Sequence, residues 1–594
     1  MIVASPLASA ATASPADGPA RHPRGSKTRV LLTSVFGPYA QDDEYGSRAM
    51  NPMELYHNQV TRVQGPFSLR MFHRSWGIML IQNNIDAPCT LLDFPTLDRF
   101  IEEIRENDYD VVGITSIPLN VMKVKKMCEL VREHLPHATI VIGGHIANVP
   151  GIDRTIDADH IVRGDGVRWF REYLGQDASQ PIRHPEITSG FGTRALGVAQ
   201  REPKGSVAAT VIPSVGCPLG CNFCATSAMF GGKGKFIDFY QSGDELFDVM
   251  CQLERSMKVQ SYFLMDENFL LHRPRAMRLL ELIRQHDKAW KLYVFSSANA
   301  IRKYEIEDLV DMGISWVWMG LEGEESQYLK LKGVDSRELV ATLQSHGIHV
   351  LGSTIIGMEN HCADNIDAAI KYAVQHDTDF HQFMLYTPVA GTPLHAELTA
   401  AGRMKDESEF HPGDIHGQLM FNYRHPLIRN GEESEFILRA FQQDFEVNGP
   451  SVLRIVRTEL AGCQQYRKHP RSGVRRRFAR DAAELATTYS AVTWAARQYY
   501  RSIRPRPHLE SRFTKLLAEL AGAFGIKSRL AALFGGPYVY AKLRAEEKRL
   551  AAGWTYEPAT FYEKNFVEAH PARAKHPATL CTCVIPQAIH AEVA

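Results

Sequence analysis

The chain of 594 residues carries 67 Lys+Arg against 67 Asp+Glu, and 44% of its residues are hydrophobic. At roughly 100–200 residues per domain, that length is enough for several domains with sizeable cores. The charge balance excludes a whole-protein polyanion binder; ten cysteines are too few for a disulfide scaffold; and no run of about 18 apolar residues is present to span a bilayer.

Residues 1–27 are rich in Ala, Ser and Pro, with Pro6 breaking any apolar core, and read as a disordered leader rather than a secretory signal. A strand is expected over Arg29–Val35, a helix over Leu97–Asn107, and a strand over Tyr109–Ser116. An amphipathic helix follows over Lys123–Leu135, stopped by Pro136, then strands over Ala138–Gly144 and Ala158–Arg163. Strands alternating with helices of this length imply right-handed βαβ units and a doubly wound parallel sheet over residues 28–190. Such sheets bind ligands at the carboxyl ends of their strands. Those ends carry Thr115, Ser116, Gly143, Gly144, His145 and Gly164. Glycines there let backbone approach a flat or phosphate-bearing ligand, but G-x-G-x-x-G is missing after the first strand, which weakens a nicotinamide reading.

The string DYDVVGITS…MKVKKMCELVREHLPHATIVIGGHIANV instead resembles the cobalamin-binding domain at the front of many radical SAM enzymes, over about residues 29–180. The resemblance implies that the six strand-end residues contact cobalamin. The mutase-type Asp-x-His-x-x-Gly motif is absent between Val35 and Asn51, so the resemblance implies no such histidine below the cobalt. His145 reads as a hydrogen-bonding partner before it reads as a metal ligand.

Downstream, VIPSVGCPLGCNFC places Cys217, Cys221 and Cys224 in one loop after a strand. Three adjacent thiolates leave a structural zinc one ligand short, yet they suit three irons of a [4Fe–4S] cluster and leave the fourth open. C-x3-C-x2-C, with Phe223 before the third cysteine, resembles the radical SAM superfamily signature. The resemblance implies S-adenosylmethionine on the open iron and its one-electron cleavage to a 5′-deoxyadenosyl radical. Strands over Ser261–Met265, Lys291–Ser297, Trp316–Leu321, Val350–Ile356 and His381–Tyr386, with a helix over Asp244–Met257, fit a partial (β/α)6 barrel across residues 200–400. By the same resemblance Phe223, Asp266, Glu267, Ser296, Glu322 and Thr354 are SAM contacts. Which of Asp266 and Glu267 replaces the family's usual acidic residue stays open. The turn Thr387-Pro388…Gly391-Thr392-Pro393 reads as architecture.

Residues 401–565 read as a helical C-terminal region, with helices over Arg475–Ile503 and Ser511–Phe534. Between Ser451 and Leu550 there are 21 Lys+Arg and 7 Asp+Glu, so this part is strongly basic. It is expected over the barrel mouth, where Trp494, Tyr499, Tyr500, Phe524 and Phe534 could select a greasy or polycyclic substrate; an ordinary solvated basic face and peripheral membrane contact are the competing readings. Residues 566–594, with Cys581 and Cys583, read as a disordered tail.

The layout resembles the cobalamin-dependent radical SAM enzymes, methylases in particular. It implies methyl transfer through methylcobalamin to an unactivated carbon of a lipid or secondary-metabolite precursor. A cyclase or rearrangement enzyme with the same cofactors is the alternative, and a cobalamin sensor or a zinc-stapled binding module are the readings outside that class. A flavodoxin or ferredoxin-type electron donor, no nucleic acid, and a cytoplasmic location are expected.

Overall fold

The run Val30–Thr33 (VLLT) has no polar face, and it forms a strand, β1, buried at every residue. The computed structural model describes residues 20–37, 44–47, 54–199, 208–322, 334–554 and 561–565. After β1 the first domain runs through α1 (Trp76–Asn84), β2 (Cys89–Asp93), α2 (Leu97–Glu106), β3 (Val111–Thr115), α3 (Val121–His134), β4 (Thr139–Gly143), β5 (His160–Ile161) and α4 (Gly166–Tyr173). The strands are parallel in the order β2-β1-β3-β4-β5, the doubly wound arrangement whose switch point lies between β1 and β3. Alternation along the strands sends Leu31, Val112 and Ile140 to α2 and α3, and Val30, Leu32 and Val141 to α1 and α4.

The second domain has six parallel strands in chain order: β6 (Ala208–Val211), β7 (Ser261–Leu264), β8 (Lys291–Phe295), β9 (Ile314–Gly320), β10 (His349–Ile356) and β11 (Phe380–Leu385). Helices α5 (Gly243–Met257), α6 (Arg273–Gln285), α7 (Ile306–Met312), α8 (Ser336–Ser345) and α9 (Ile366–Val374) alternate with them. β11 is one edge of the sheet, and at the other Thr188–Ser189 pairs antiparallel with β6, so the barrel is open. Outward residues such as Leu264, Leu292 and Val317 pack on the helices. Inward residues are aromatic: Phe295 stacks on Trp318 at 4.8 Å, and Trp316 on Phe380 at 5.3 Å. A segment of the first domain enters this interior, with Tyr56 against Phe380 at 6.0 Å and His73 stacked on Phe263 at 5.9 Å.

Beyond the barrel come α10 (Pro393–Ala400), α11 (Glu432–Asn448), α12 (Ser451–Tyr466), α13 (Ser472–Glu484), α14 (Ser490–Ser502), α15 (Pro507–Phe524), α16 (Ile526–Ala551) and a last strand, β12 (Phe561–Asn565). The expected helix over Ser511–Phe534 is therefore two helices, broken at Gly525 with φ +61°. The end of the helical region is also not helical. β12 returns to the first domain and pairs antiparallel with β2, Tyr562 opposite Leu92. Residues 1–19 and 566–594 lie outside the described residues, and so do Cys581 and Cys583. Residues 20–27 are anchored, contrary to the expected leader: the His22 amide donates to the Tyr173 carbonyl at 2.8 Å, and Arg24 pairs with Asp110 at 2.6 Å.

The most arginine-rich of the basic helices, α13, docks at the amino end of the barrel and not over its mouth. Arg471 donates to the carbonyls of Ile283 (3.2 Å) and Asp311 (3.1 Å), Arg477 to Val310 (2.8 Å), and Arg480 to Ala289. These carbonyls belong to the ends of α6 and α7 and to the turn entering β8, at the amino end of the barrel. Helix ends leave carbonyls unpaired and carry partial negative charge, which guanidinium groups satisfy. Much of the local positive excess is thus structural. Tyr499 and Tyr500 are equally committed, buried against Phe67 and Phe513.

Candidate active site

The cysteine loop leaves β6 through Ser214-Val215, which pair antiparallel with Ile237-Asp238 and close its base. Within it Ser227 ties the first cysteine to the third: its hydroxyl donates to the Cys217 carbonyl at 2.8 Å, and its amide donates to Cys224 Sγ at 3.4 Å. Gly220 has φ +67°, and a Cβ there would sit 2.6 Å from Lys233, so the turn between Cys217 and Cys221 requires glycine. The Leu394 amide, on the first turn of α10, donates to the Asn222 carbonyl at 3.0 Å. The Gly391-Thr392-Pro393 turn is therefore architecture that holds the loop. Phe223 meets Tyr386 edge-on at 6.0 Å.

Burial pushes the Cys217 thiol up to about 11, and Cys224, Cys221 and Glu267 add to the shift. Thiols gathered this closely stay protonated unless a positive centre offsets their charge. Among the described residues no three His, Cys, Asp or Glu side chains converge on a single ion. Three thiolates in one loop leave a lone zinc short of a ligand and suit three irons of a cluster.

At the end of β7 the sequence Asp266-Glu267-Asn268 divides its work. Asp266 is 1% exposed, accepts from Ser214 Oγ at 2.6 Å and is ion-paired with Arg275. Asn268 Oδ1 accepts from Ser296 Oγ (3.1 Å) and the Ser297 amide (3.0 Å). Glu267 alone of the three is turned to a cavity, its Oε2 without a hydrogen-bond partner and its carboxyl pushed up to about 7 by burial. Asp266 and Ser296 are thus structural in this geometry, whereas Glu267 is presented. Replacing Arg275 with Ala should cost about 3–5 kcal/mol of stability in denaturant titration, because it strands a buried carboxylate. Adding Asp266→Asn should recover part of that loss.

Thr354 faces the wrong way for the role its position implied. Its hydroxyl meets His381 Nε2 at 3.0 Å, and His381 stacks on Phe383, which packs against α11. Successive strand residues alternate faces, so the neighbour Ser353 points inward instead, donating to Gln382 at 2.9 Å. Glu322 is buried just past β9, in left-handed backbone at φ +54°. Gly323, the last residue of the GLEG motif, lies outside the described residues.

Between the two domains is a cavity of about 300 Å³. Its floor is the carboxyl end of the first sheet, with Thr115, Gly143, Gly144, His145 and Gly164; its roof includes Thr226, Met229 and Phe230 of the cysteine loop, with Met265 and Glu267. Ser116 does not line it: its hydroxyl turns to the Ile117 carbonyl at 3.3 Å, and its backbone braces the loop. Added Cβ atoms at Gly143 and Gly164 would enter open space, whereas one at Gly144 would meet the Ser116 carbonyl oxygen at 2.6 Å. His145 Nε2 bonds Thr226 Oγ1 at 3.2 Å and so joins floor to roof two residues from Cys224. Its imidazole is the only one lining this cavity among the described residues. With apolar walls, a glycine floor and a volume typical of ligand pockets, these residues fit a broad planar cofactor lying beside a cluster.

Comparison with known proteins assigns both halves. The B12 binding domain model matches residues 77–174, and the radical SAM superfamily model matches residues 211–373. The chain joins a B12-binding domain to a radical SAM domain, the layout of a cobalamin-dependent radical SAM enzyme. It uses cobalamin, a [4Fe–4S] cluster and S-adenosylmethionine. It is 26% identical over 348 residues (52% of this chain, 73% of the other) to an uncharacterized methyltransferase of Pyrococcus horikoshii. It is 25% identical over 383 residues (59% and 81%) to the bacteriochlorophyllide d C-12(1)-methyltransferase of Chlorobaculum tepidum. A solved radical S-adenosylmethionine methyltransferase, TsrM from Kitasatospora setae with cobalamin and [4Fe–4S] cluster bound, superposes with TM-score 0.43 and 16% identity, covering 63% of this chain and 78% of that one. In this cobalamin-dependent radical SAM enzyme the family model for the second domain begins at Val211, at the end of β6, and so takes in the cysteine loop.

Proposed function

We propose that this enzyme methylates an unactivated carbon of an apolar, ring-bearing or lipid-like small molecule. The observation that carries the reading is the shared cavity, in which the glycine floor of one domain and the cysteine loop of the other are joined by the His145–Thr226 bond. When bound, the cluster and S-adenosylmethionine supply a hydrogen-abstracting radical, and the corrinoid supplies the methyl group.

The chain's own residues position and shield. Cys217, Cys221 and Cys224 would hold three irons. Glu267 would accept hydrogen bonds from the amino group of S-adenosylmethionine, Phe223 would pack beside the cluster, and Glu322 would close the site from β9. Thr115, Gly143, Gly144, His145 and Gly164 would seat the corrinoid. Apolar walls keep water from the reacting groups, and the aromatic interior of the barrel supports an apolar substrate, since rings offer flat contact area at little entropic cost. No side-chain nucleophile is required: alignment does the work. Reduction calls for an external one-electron donor of the flavodoxin or ferredoxin type.

Anaerobic reconstitution with iron, sulfide and hydroxocobalamin, followed by S-adenosylmethionine and reductant, tests the reading. Retained cobalt with both 5′-deoxyadenosine and S-adenosylhomocysteine is the expected result. 5′-Deoxyadenosine without S-adenosylhomocysteine would assign a non-methylating rearrangement instead. Glu267→Gln keeps the shape but removes the charge, and should raise the KM for S-adenosylmethionine roughly tenfold, the loss of one charge-assisted hydrogen bond. An unchanged KM would transfer the amino-group contact to another residue.

A further inference from the structure

The first half of helix α16 is built inside out. Residues at four-residue spacing, Ser528, Ala532 and Gly536, are its buried face. They let it sit close to α14: Ser528 Oγ lies 2.7 Å from Ser490 Oγ, and a Cβ on Gly536 would stand 2.5 Å from the Trp494 ring. Over the first three turns of the same helix the large apolar residues point away from the protein, whereas Leu543 further along is buried. Ile526 is 75% exposed, Leu530 47%, Leu533 60%, Phe534 73% and Tyr538 59%. Together they form one stripe along three turns. Scattered exposed leucines need no explanation, but a contiguous stripe of this kind marks a contact surface.

Charge identifies the partner. From Leu520 to Ala545 the chain has Lys527, Arg529, Lys542 and Arg544 and no Asp or Glu. Lys527 and Arg529 are exposed and form no ion pair among the described residues, unlike Arg471, Arg477 and Arg480, which serve the barrel floor. An apolar stripe with basic flanks and no acid suits an anionic lipid surface, with the helix lying in the interface plane. Spanning is not at issue, since no described helix is long and apolar enough to cross a membrane.

We propose that α16 docks the enzyme peripherally on anionic bilayers, with Ile526, Leu530, Leu533, Phe534 and Tyr538 entering the acyl boundary and Lys527 and Arg529 reaching headgroup phosphates. The surface lies on the helical region, outside the cofactor cavity, and stands independently of the reaction: failure of vesicle binding would leave the cofactor measurements untouched.

The test is co-sedimentation of the full-length protein with vesicles of phosphatidylcholine containing phosphatidylglycerol and with phosphatidylcholine alone. Binding to the anionic vesicles is expected, weakening with salt and falling at least about tenfold in the Leu530→Ser, Phe534→Ser double variant. Because both residues are exposed, the variant should keep the wild-type melting temperature. Three results would overturn the proposal: wild-type protein left in the supernatant; a double variant that binds like wild type; or a variant that instead loses a dimer on gel filtration or melts earlier. The last would mean that a second copy or another part of this chain covers the stripe.

Discussion

Replacing any one of Cys217, Cys221 or Cys224 with alanine is expected to strip iron from the reconstituted protein and to cut 5′-deoxyadenosine formation by at least about a thousandfold. The three thiols sit in one loop, cross-braced by Ser227 between Cys217 and Cys224 and held from outside by Leu394. Groups that act as one unit are not additive, so each single variant should be nearly as inactive as the triple variant. The loop's bracing is mostly backbone, hence the variants should stay folded, and circular dichroism checks this. Iron content by absorbance and product by mass spectrometry are the readouts. Retained 5′-deoxyadenosine in any of the three would remove that cysteine from the cluster.

Gly143→Leu is expected to separate the two cofactor sites. Gly143 ends β4 on the cavity floor, and nothing lies within 4 Å of where its Cβ would stand. It has no left-handed φ, so leucine there strains no backbone and simply fills the space where the corrinoid is proposed to lie. An overpacked contact typically costs about 1–3 kcal/mol, which corresponds to roughly a fivefold to 150-fold loss of cobalamin affinity. Cobalt retention after desalting should fall accordingly, S-adenosylhomocysteine should fall with it, and iron content should stay at the wild-type level. Equal losses of iron and cobalt would mean that the substitution disturbs the whole domain interface. Full cobalt retention would place the corrinoid elsewhere.

How the basic helices are used shows where reading along the chain reaches its limit. Their composition is consistent equally with a substrate cap, a lipid surface or internal pairing. Only folding brings Arg471, Arg477 and Arg480 to the carbonyls at the amino end of the barrel. The same holds for α16, where the sequence gives no sign of whether the small or the large face is inward. The strand β2 was silent for a different reason: CTLLD is buried on both faces, so it carries no alternation to detect.

Local chemistry was legible in the sequence by itself. The cysteine spacing, the glycine pair before His145 and the βα alternation each depend on residues close in the chain, and these specify cofactor class and fold class. Tertiary structure alone decided which neighbouring side chain faces the cavity. Asp266, Glu267 and Asn268 are adjacent, yet Arg275 and Ser296 claim the outer two and leave Glu267 to the cavity. Thr354 and Ser353 differ by one position and face opposite sides of the sheet. His145 and Thr226 are 81 residues apart and meet only because the first sheet's carboxyl end is set against the cysteine loop. Spacing fixes what a short segment can bind, whereas strand parity and long-range pairing fix which of its atoms remain free to bind it.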